Sequence, residues 1–196
     1  MCARGHSPNP APEPGTGSAA RPVLAPEAPI ALVGMMAAGK TVVGGALAEL
    51  LGRRFADTDS IIAAAAGAPV HTLFAMEGEA GFRARERALA VDLGRFPGHV
   101  LALGGGMFVG EEMVGLIRAA SRTIWLKATV ETLGRRLDAA GTAARPMLAG
   151  EDPLARLRSL LAERSPWYAQ ADLAVATDGL SPRAVARAIA IALGCA

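Results

Sequence analysis

The chain has 196 residues, 52% of them hydrophobic, and a formal net charge of +2 from 20 basic and 18 acidic residues. This length suits one domain with a sizeable buried core rather than two domains. No block of Lys and Arg stands out, which excludes the basic stripe of a nucleic-acid-binding protein. No apolar run is long enough for a membrane helix, and the two cysteines have no metal-ligand or disulfide spacing. We therefore expect a cytoplasmic protein with neither nucleic-acid nor membrane partners.

The N-terminal segment differs in composition from the rest of the chain. Residues 1–28 are rich in Pro, Ala, Gly and Ser, which predicts a disordered tail. The folded domain is expected to span residues 29–196. Its first element is the continuous apolar run at 30–33, which is typical of a strand buried on both faces of a parallel sheet.

Short apolar runs and helical patterns then alternate along the chain. Further strands are expected at 54–57, 99–103, 123–126 and 173–176. Helices are expected at 40–51, 59–66, 78–94, 111–120, 129–139, 151–168 and 181–193. This alternation predicts a three-layer α/β fold, in which helices cover both faces of a five-stranded, mostly parallel sheet.

A phosphate-binding motif follows the first strand. Residues 34–41 read G-M-M-A-A-G-K-T and match G-x-x-x-x-G-K-[ST] in full. Such a loop wraps backbone N–H groups around a phosphate, its Lys reaches the β- and γ-phosphates and its Thr hydroxyl ligates Mg²⁺. A chance match in a chain rich in Gly and Ala is disfavoured, because the strand and the helix stand where the motif needs them. The predicted ATP-binding residues of the loop are Ala37, Ala38, Gly39, Lys40, Thr41 and Val42.

Two carboxylates end the second predicted strand. Asp57 and Asp59 are two residues apart, so both side chains point the same way from the strand end. One carboxylate can face the metal and the other an acceptor hydroxyl. Asp59 also precedes an apolar helix, so a helix N-cap is an equally simple explanation of this spacing.

Four later segments carry groups suited to anions. Arg83 and Glu86 are three apart on a predicted helix, although ordinary surface ion pairing explains that spacing equally well. The glycines at 104–106 end a buried strand where ligands bind in open α/β sheets, or form a simple flexible turn. Arg145 lies in a small-residue loop that resembles a mobile lid, and Arg164 ends a helix as a second candidate for anion binding.

Taken in order, these segments resemble the shikimate kinase family. The resemblance is carried by the phosphate loop, F-x-D-T-D at 55–59, E-x-x-F-R at 79–83, the triple glycine, R-P-M-L at 145–148 and E-R-x-P-x-Y at 163–168. It covers about residues 29–193. It implies a P-loop kinase fold with a mobile lid and a monomer. The implied reaction is ATP-dependent phosphorylation of the 3-hydroxyl of shikimate with one Mg²⁺, giving 3-phosphoshikimate and ADP.

The resemblance also implies roles for single residues. Thr41 and Asp57 would hold Mg²⁺, with Asp57 acting through water, and Asp59 would orient or deprotonate the acceptor hydroxyl. The remaining substrate-binding groups would be Arg83, Arg164 and the Gly105 backbone, with Glu86 bracing Arg83 and Val70, Phe74 and Phe82 walling the ring. Core packing is the alternative for these three apolar residues. Lys40, Asp59 and Arg145 would be catalytic, and Arg136 would lie near adenine.

Two departures from the family pattern are visible. The segment from Arg136 to Arg145 is somewhat long for the family's lid, and Thr41-Val42 replaces the common Ser-Thr pair while keeping the metal-binding hydroxyl. Two alternatives stay open at this stage. One is another small-metabolite kinase of the P-loop type, such as a gluconate-type sugar-acid kinase or a nucleoside-monophosphate kinase. The other is a nucleotide-binding module without catalysis.

Overall fold

A computed structural model describes residues 25–140 and 152–195 of the chain. Most of the predicted tail and the predicted lid with Arg145 therefore lie outside the described residues. Within the described part, no single helix is both long and apolar enough to cross a membrane. Two consecutive helices, at 58–66 and 70–91, reach that length and hydropathy only as a pair bent by 92°.

Five parallel strands form one sheet in the order β2-β3-β1-β4-β5. Their bounds are Ile30–Val33 (β1), Arg54–Asp57 (β2), His99–Ala102 (β3), Arg122–Lys127 (β4) and Leu173–Ala176 (β5). β1 lies at the centre and all four of its residues are buried, as its continuous apolar run predicts. Its Ile30 pairs with Val100 of β3 on one side and with Arg122 of β4 on the other. The predicted α/β sheet is confirmed.

Seven α-helices connect and cover the strands in the described part of the chain. Their bounds are Lys40–Leu51 (α1), Thr58–Ala66 (α2), Val70–Val91 (α3), Glu111–Ala120 (α4), Val130–Ala140 (α5), Pro153–Tyr168 (α6) and Pro182–Ala192 (α7). α1 contacts β1, β2 and β3 and packs against α7, while α4 contacts α3 and β4. Because β1, β2 and β3 are parallel, their carboxyl ends lie at the same edge of the sheet, and the site is built there.

The third helix differs from its prediction. It begins at Val70 rather than at residue 78, and a short 3-10 turn at Leu93–Arg95 follows its end. Gly78 interrupts the helix with φ 68° and ψ −175°, a conformation that glycine adopts without strain. The Arg85 guanidinium crosses this break and donates two hydrogen bonds to the Glu77 carboxylate, of 2.8 and 2.7 Å. Gly78 therefore separates two helical segments, which confirms the predicted boundary there, whereas the helical segment that begins at Val70 was not predicted.

The residues just before the first strand are held against the domain. The Arg53 guanidinium donates to the carbonyl oxygens of Pro26 and Ala28, at 2.8 and 3.0 Å. The backbone N–H of Gly98 donates to the carbonyl of Glu27 at 2.7 Å. The described structure therefore includes four residues that precede the predicted start of the domain at residue 29.

Candidate active site

The phosphate loop joins β1 to the N-terminus of α1. Gly34 lies so close to β4 that an added Cβ would come within 2.7 Å of the Leu126 carbonyl oxygen, which requires glycine here. Lys40 begins α1, and its Nζ donates to the carbonyl oxygens of Gly34 and Met35 at 2.8 and 3.0 Å. The loop thus curls around the lysine, and the N-terminus of a twelve-residue helix faces the same space.

The acid pair lies beside this loop. One oxygen of Asp57 accepts a hydrogen bond from the Thr41 hydroxyl (3.2 Å), and the other accepts from the backbone N–H of Asp59 (3.0 Å). Asp57 is therefore the N-cap of α2 and a neighbour of Thr41 at once. The sequence assigned the N-cap alternative to Asp59, and the structure gives that position to Asp57.

The Asp59 side chain is partly buried. Burial raises the pKa of the Asp59 carboxyl, the Asp57 charge adds to the rise, and Lys40 and Arg83 oppose it. An added Cβ on Gly104 would lie 2.8 Å from its Oδ1. Asp59 therefore faces the glycine turn that follows β3.

The two candidate anion-binding arginines approach the same turn from different helices. Arg83 on α3 donates to Glu86 (2.5 Å) and to Glu79 (3.1 Å), and its guanidinium abuts Gly106. Arg164 on α6 is only 5% exposed and donates to the Gly105 carbonyl at 3.2 Å. Both guanidinium groups are thus fixed by acceptors other than a ligand, which leaves their remaining N–H groups aimed from set positions.

Glu86 is the buried partner of this arrangement. Its side chain is about 3% exposed, against 34% for Arg83. Burial raises the pKa of the Glu86 carboxyl, and the neighbouring Arg83 guanidinium opposes that rise. The sequence left open whether Glu86 braces Arg83 or forms an ordinary surface ion pair with it. The structure shows an ion pair in which Glu86 is buried and Arg83 is partly exposed.

One cavity of about 470 Å³ collects these groups. Its polar lining residues are Lys40, Thr41, Asp57, Asp59, Arg83, Glu86, Gly104, Gly105, Gly106 and Arg164. Its remaining lining residues are Met36, Ala37, Gly39, Val42, Val70, Phe74, Phe82 and Leu103. The rings of Phe74 and Phe82 stack with centroids 4.5 Å apart, so part of the wall is aromatic. The volume suits a small metabolite beside a phosphate group.

Two of the residues predicted for the ATP site, Ala38 and Arg136, do not line this cavity. Ala38 is buried and does not line the cavity. The Arg136 guanidinium donates to the carbonyls of Ala37 and Ala38 and to the side chain and backbone of Thr177, at 2.9 to 3.3 Å. It therefore joins the phosphate loop to the segment after β5. Arg145 is outside the described residues.

Two site residues were missed by the sequence analysis. Thr58 lies between the two acids and accepts a hydrogen bond from the Gly104 N–H (2.9 Å). Tyr168 at the end of α6 donates to the Gly105 carbonyl (2.5 Å). Both were inside quoted motifs without a role. The only signal in the sequence was that each of these hydroxyl side chains stands among charged residues.

The phosphate loop, its strand and helix, and the parallel sheet define a P-loop protein of the kinase type. The family model described as shikimate kinase matches residues 36–193. Curated shikimate kinases from Symbiobacterium thermophilum and from Neisseria meningitidis serogroup C are both 48% identical, over 72% and 71% of this chain and 82% and 81% of their own lengths. The chain belongs to the shikimate kinase family.

A solved structure agrees with the sequence relatives. The shikimate kinase from Acinetobacter baumannii in complex with shikimate superposes with a TM-score of 0.80 and 36% identity. The alignment covers 86% of this chain and 94% of that one. The likeness therefore extends over most of the chain rather than over the phosphate loop alone.

Proposed function

We propose that this protein transfers the γ-phosphoryl group of ATP to the 3-hydroxyl of shikimate, giving 3-phosphoshikimate and ADP. The observation that carries the proposal is that the phosphate loop, an acid pair, two arginines and a glycine turn line the same cavity. Family membership supports the same reaction. Shikimate is a compact polyhydroxylated carboxylate, and both of its chemical features have partners in this cavity.

The nucleotide occupies the phosphate-loop side in this proposal. Backbone N–H groups of residues 37–42 surround the β-phosphate, and Lys40 exchanges its two carbonyl acceptors for phosphate oxygens. Arg136, already fixed on the loop, flanks the adenine side. Arg145 is proposed to meet the phosphates from the lid, on the sequence motif alone.

The residues beside the loop fit a magnesium ion. Mg²⁺ prefers oxygen ligands and usually keeps several waters, so it needs few protein groups. The Thr41 hydroxyl and the Asp57 carboxylate offer two such oxygens 3.2 Å apart. Residues 25–140 and 152–195 contain no group of three or more potential metal-binding side chains, which suits an ion shared with phosphates. When bound, Mg²⁺ supplies positive charge that offsets the charge of the phosphates.

The acceptor occupies the side of the cavity formed by α3, α6 and the glycine turn. Arg83 and Arg164 hold the carboxylate of shikimate, because a guanidinium fork matches a carboxylate with two hydrogen bonds. The Gly105 backbone supports a ring substituent. The stacked Phe74 and Phe82 rings wall the carbocycle.

The transfer itself is proposed to be an in-line displacement. The bond from the 3-oxygen to the γ-phosphorus forms as the bond from that phosphorus to the β,γ-bridging oxygen breaks, and ADP leaves. The hydroxyl proton passes to Asp59. A raised pKa brings the Asp59 carboxyl closer to its working pH, which makes it a better proton acceptor than an exposed aspartate.

We further propose that the enzyme works as a monomer. Its cytoplasmic location stays a prediction. Size-exclusion chromatography with light scattering would give the mass in solution, and a dimer would contradict the monomer.

The test of function is ADP release from Mg-ATP by the purified full chain with shikimate, gluconate or a nucleoside monophosphate as acceptor. Turnover with shikimate, at least about 100-fold above the other acceptors in kcat/KM, is the expected result. Asp59→Asn is the matched variant, and it should lose nearly all turnover while its ATP affinity stays close to wild type. Turnover with gluconate or a nucleotide alone would replace the proposal, and ATP binding without any turnover would make the chain a binding module.

A further inference from the structure

The glycine turn at 104–106 is held from two sides by buried hydroxyls that do not line the cavity. We infer that Thr58 and Tyr168 are positioning residues, which fix this turn so that its free N–H groups face the acceptor. The inference rests on the proposed function, because it takes the turn to be part of the shikimate site. Neither residue is a catalytic group.

Thr58 fixes the start of the turn. Its side chain is fully buried, and its hydroxyl donates to the Ala102 carbonyl (3.2 Å) while accepting from the Gly104 N–H (2.9 Å). One hydroxyl thus joins the last residue of β3 to the first glycine of the turn. Because Thr58 stands between Asp57 and Asp59, the same residue ties the acid pair to the turn.

Tyr168 fixes the middle of the turn. It is fully buried at the end of α6, and its hydroxyl donates to the Gly105 carbonyl at 2.5 Å. Arg164 donates to the same oxygen from one helical turn earlier (3.2 Å). Burial raises the pKa of the Tyr168 hydroxyl, so it keeps its proton and remains a donor. Its ring also contacts Trp125 on β4, with centroids 6.0 Å apart.

These two anchors determine which way the next N–H points. No described peptide bond is cis, so the carbonyl of Gly105 and the N–H of Gly106 point in opposite directions. With that carbonyl held towards α6, the Gly106 N–H is directed away from α6. Among the described residues, nothing accepts a hydrogen bond from the N–H of Gly105 or Gly106, whereas the neighbouring N–H groups of Gly104 and Met107 are both satisfied.

A small rotation of this turn would disturb the acceptor site in two ways. It would redirect the free N–H groups, and it would push Gly106 against the Arg83 guanidinium, which already lies 2.5 Å from the position of an added Cβ. Backbone rigidity here cannot come from the glycines, since they are the most flexible residues. The two buried hydroxyls supply it instead.

The experiment compares Tyr168→Phe, Thr58→Val and Thr58→Ser with wild type in steady-state assays with shikimate and ATP. Tyr168→Phe removes one hydrogen bond and keeps the ring, so we expect KM for shikimate to rise about 3- to 10-fold. KM for ATP should stay within about twofold, because the phosphate loop is untouched. Thr58→Val should raise KM for shikimate by about 10-fold or more, and Thr58→Ser, which keeps the hydroxyl, should restore it to near the wild-type value.

Each outcome decides between the inference and its alternatives. A purely structural role would lower the thermal midpoint and leave both KM values unchanged well below that midpoint, which overturns the inference. An equal rise of both KM values overturns it too. If Thr58→Val does not fold, the ratio of the two KM values in Tyr168→Phe decides alone. A wild-type protein inactive with shikimate removes the proposed function and this inference together, whereas an active wild type with an unchanged Tyr168→Phe removes only the inference.

Discussion

The carboxylates of Asp59 and Glu86 both lie against Gly104, in the space that a side chain at this position would occupy. A Cβ added there would lie 2.8 Å from Asp59 Oδ1 and 3.0 Å from Glu86 Oε1. Burial is the main cause that raises the pKa of each carboxyl, and the Arg83 guanidinium opposes the rise in both. Arg83 thus favours the charged form of both acids. Gly104 leaves room for the two carboxylates because it has no side chain.

Gly104→Ala should therefore damage the acceptor site selectively. The added methyl group must displace one of the two carboxylates, and we expect kcat/KM for shikimate to fall roughly 10- to 100-fold. KM for ATP should change little. Gly115→Ala is the matched control, because a Cβ on that α4 residue meets nothing within 4 Å. Equal activity of the two variants would contradict the close approach of the carboxylates to Gly104.

Asp59→Asn should stabilise the metal-free, nucleotide-free protein at neutral pH. Because the folded pKa of Asp59 is raised, its proton favours the folded state, and that stability is lost as the pH rises through the raised pKa. Asn removes this loss. We expect a thermal midpoint about 1–4 °C above wild type at pH 7, with the difference shrinking towards pH 3.8.

The control for that measurement is Asp138→Asn, which changes an exposed aspartate on α5. Its thermal midpoint should follow wild type across the same pH range. If Asp59→Asn is instead less stable than wild type at pH 7, the carboxylate makes net favourable contacts and its burial is not the dominant effect. Calorimetry at several pH values, with a chelator present, distinguishes these results.

Arg83→Lys and Arg164→Lys should both weaken the binding of the shikimate carboxylate. Each variant keeps the charge and removes the fork, which should cost on the order of 2–4 kcal/mol of transition-state binding. The loss should fall on kcat/KM for shikimate, with ATP affinity much less affected. The control is Arg158→Lys, because Arg158 on α6 is exposed; this variant should behave as wild type.

A shikimate analogue without its carboxylate sharpens this prediction. The wild type should use it poorly, and the two Lys variants should lose little further activity against it, since the group they fail to read is gone. A wild type that phosphorylates the neutral analogue as well as shikimate would show that no carboxylate is bound by these arginines.

Two N-terminal deletions should differ in stability although they differ by only four residues. Removing residues 1–24 should leave turnover and the thermal midpoint nearly unchanged, since that segment has few large apolar residues to bury. Removing residues 1–28 also deletes the carbonyls that accept from Arg53 and Gly98. We expect a loss on the order of 1–2 kcal/mol, measured by urea denaturation. Equal stability would mean that these contacts contribute nothing.

Local signals allowed most elements and the core of the site to be predicted. The phosphate loop and the acid pair could be predicted because each is a short motif, and the residues next to it in the chain determine its geometry. Helix α3 was predicted only from Gly78 onwards, where the structure does break the helix, and the helical segment that precedes this glycine was missed. An ion pair between Glu77 and Arg85 joins the two segments across that break.

The long-range contacts were beyond the sequence. Thr58 meets Gly104, and Tyr168 meets Gly105, across large separations along the chain, and no local pattern marks a hydroxyl that will hold a distant carbonyl or N–H. The spatial order of the strands has the same character. Arg136 was expected near adenine, and its contacts to Ala37 and Ala38 depend on how α5 packs beside the phosphate loop.

The central position of β1 has a consequence for how the protein is made. Both neighbours of this strand, β3 and β4, come later in the chain, so the strand leaves the ribosome unpaired. It stays without its second partner until Lys127 has emerged. Parallel sheets with such distant pairings form slowly, and an apolar strand waiting for its neighbours is open to association with other chains. The segment that carries the nucleotide loop is therefore synthesised before either of the two strands that protect it.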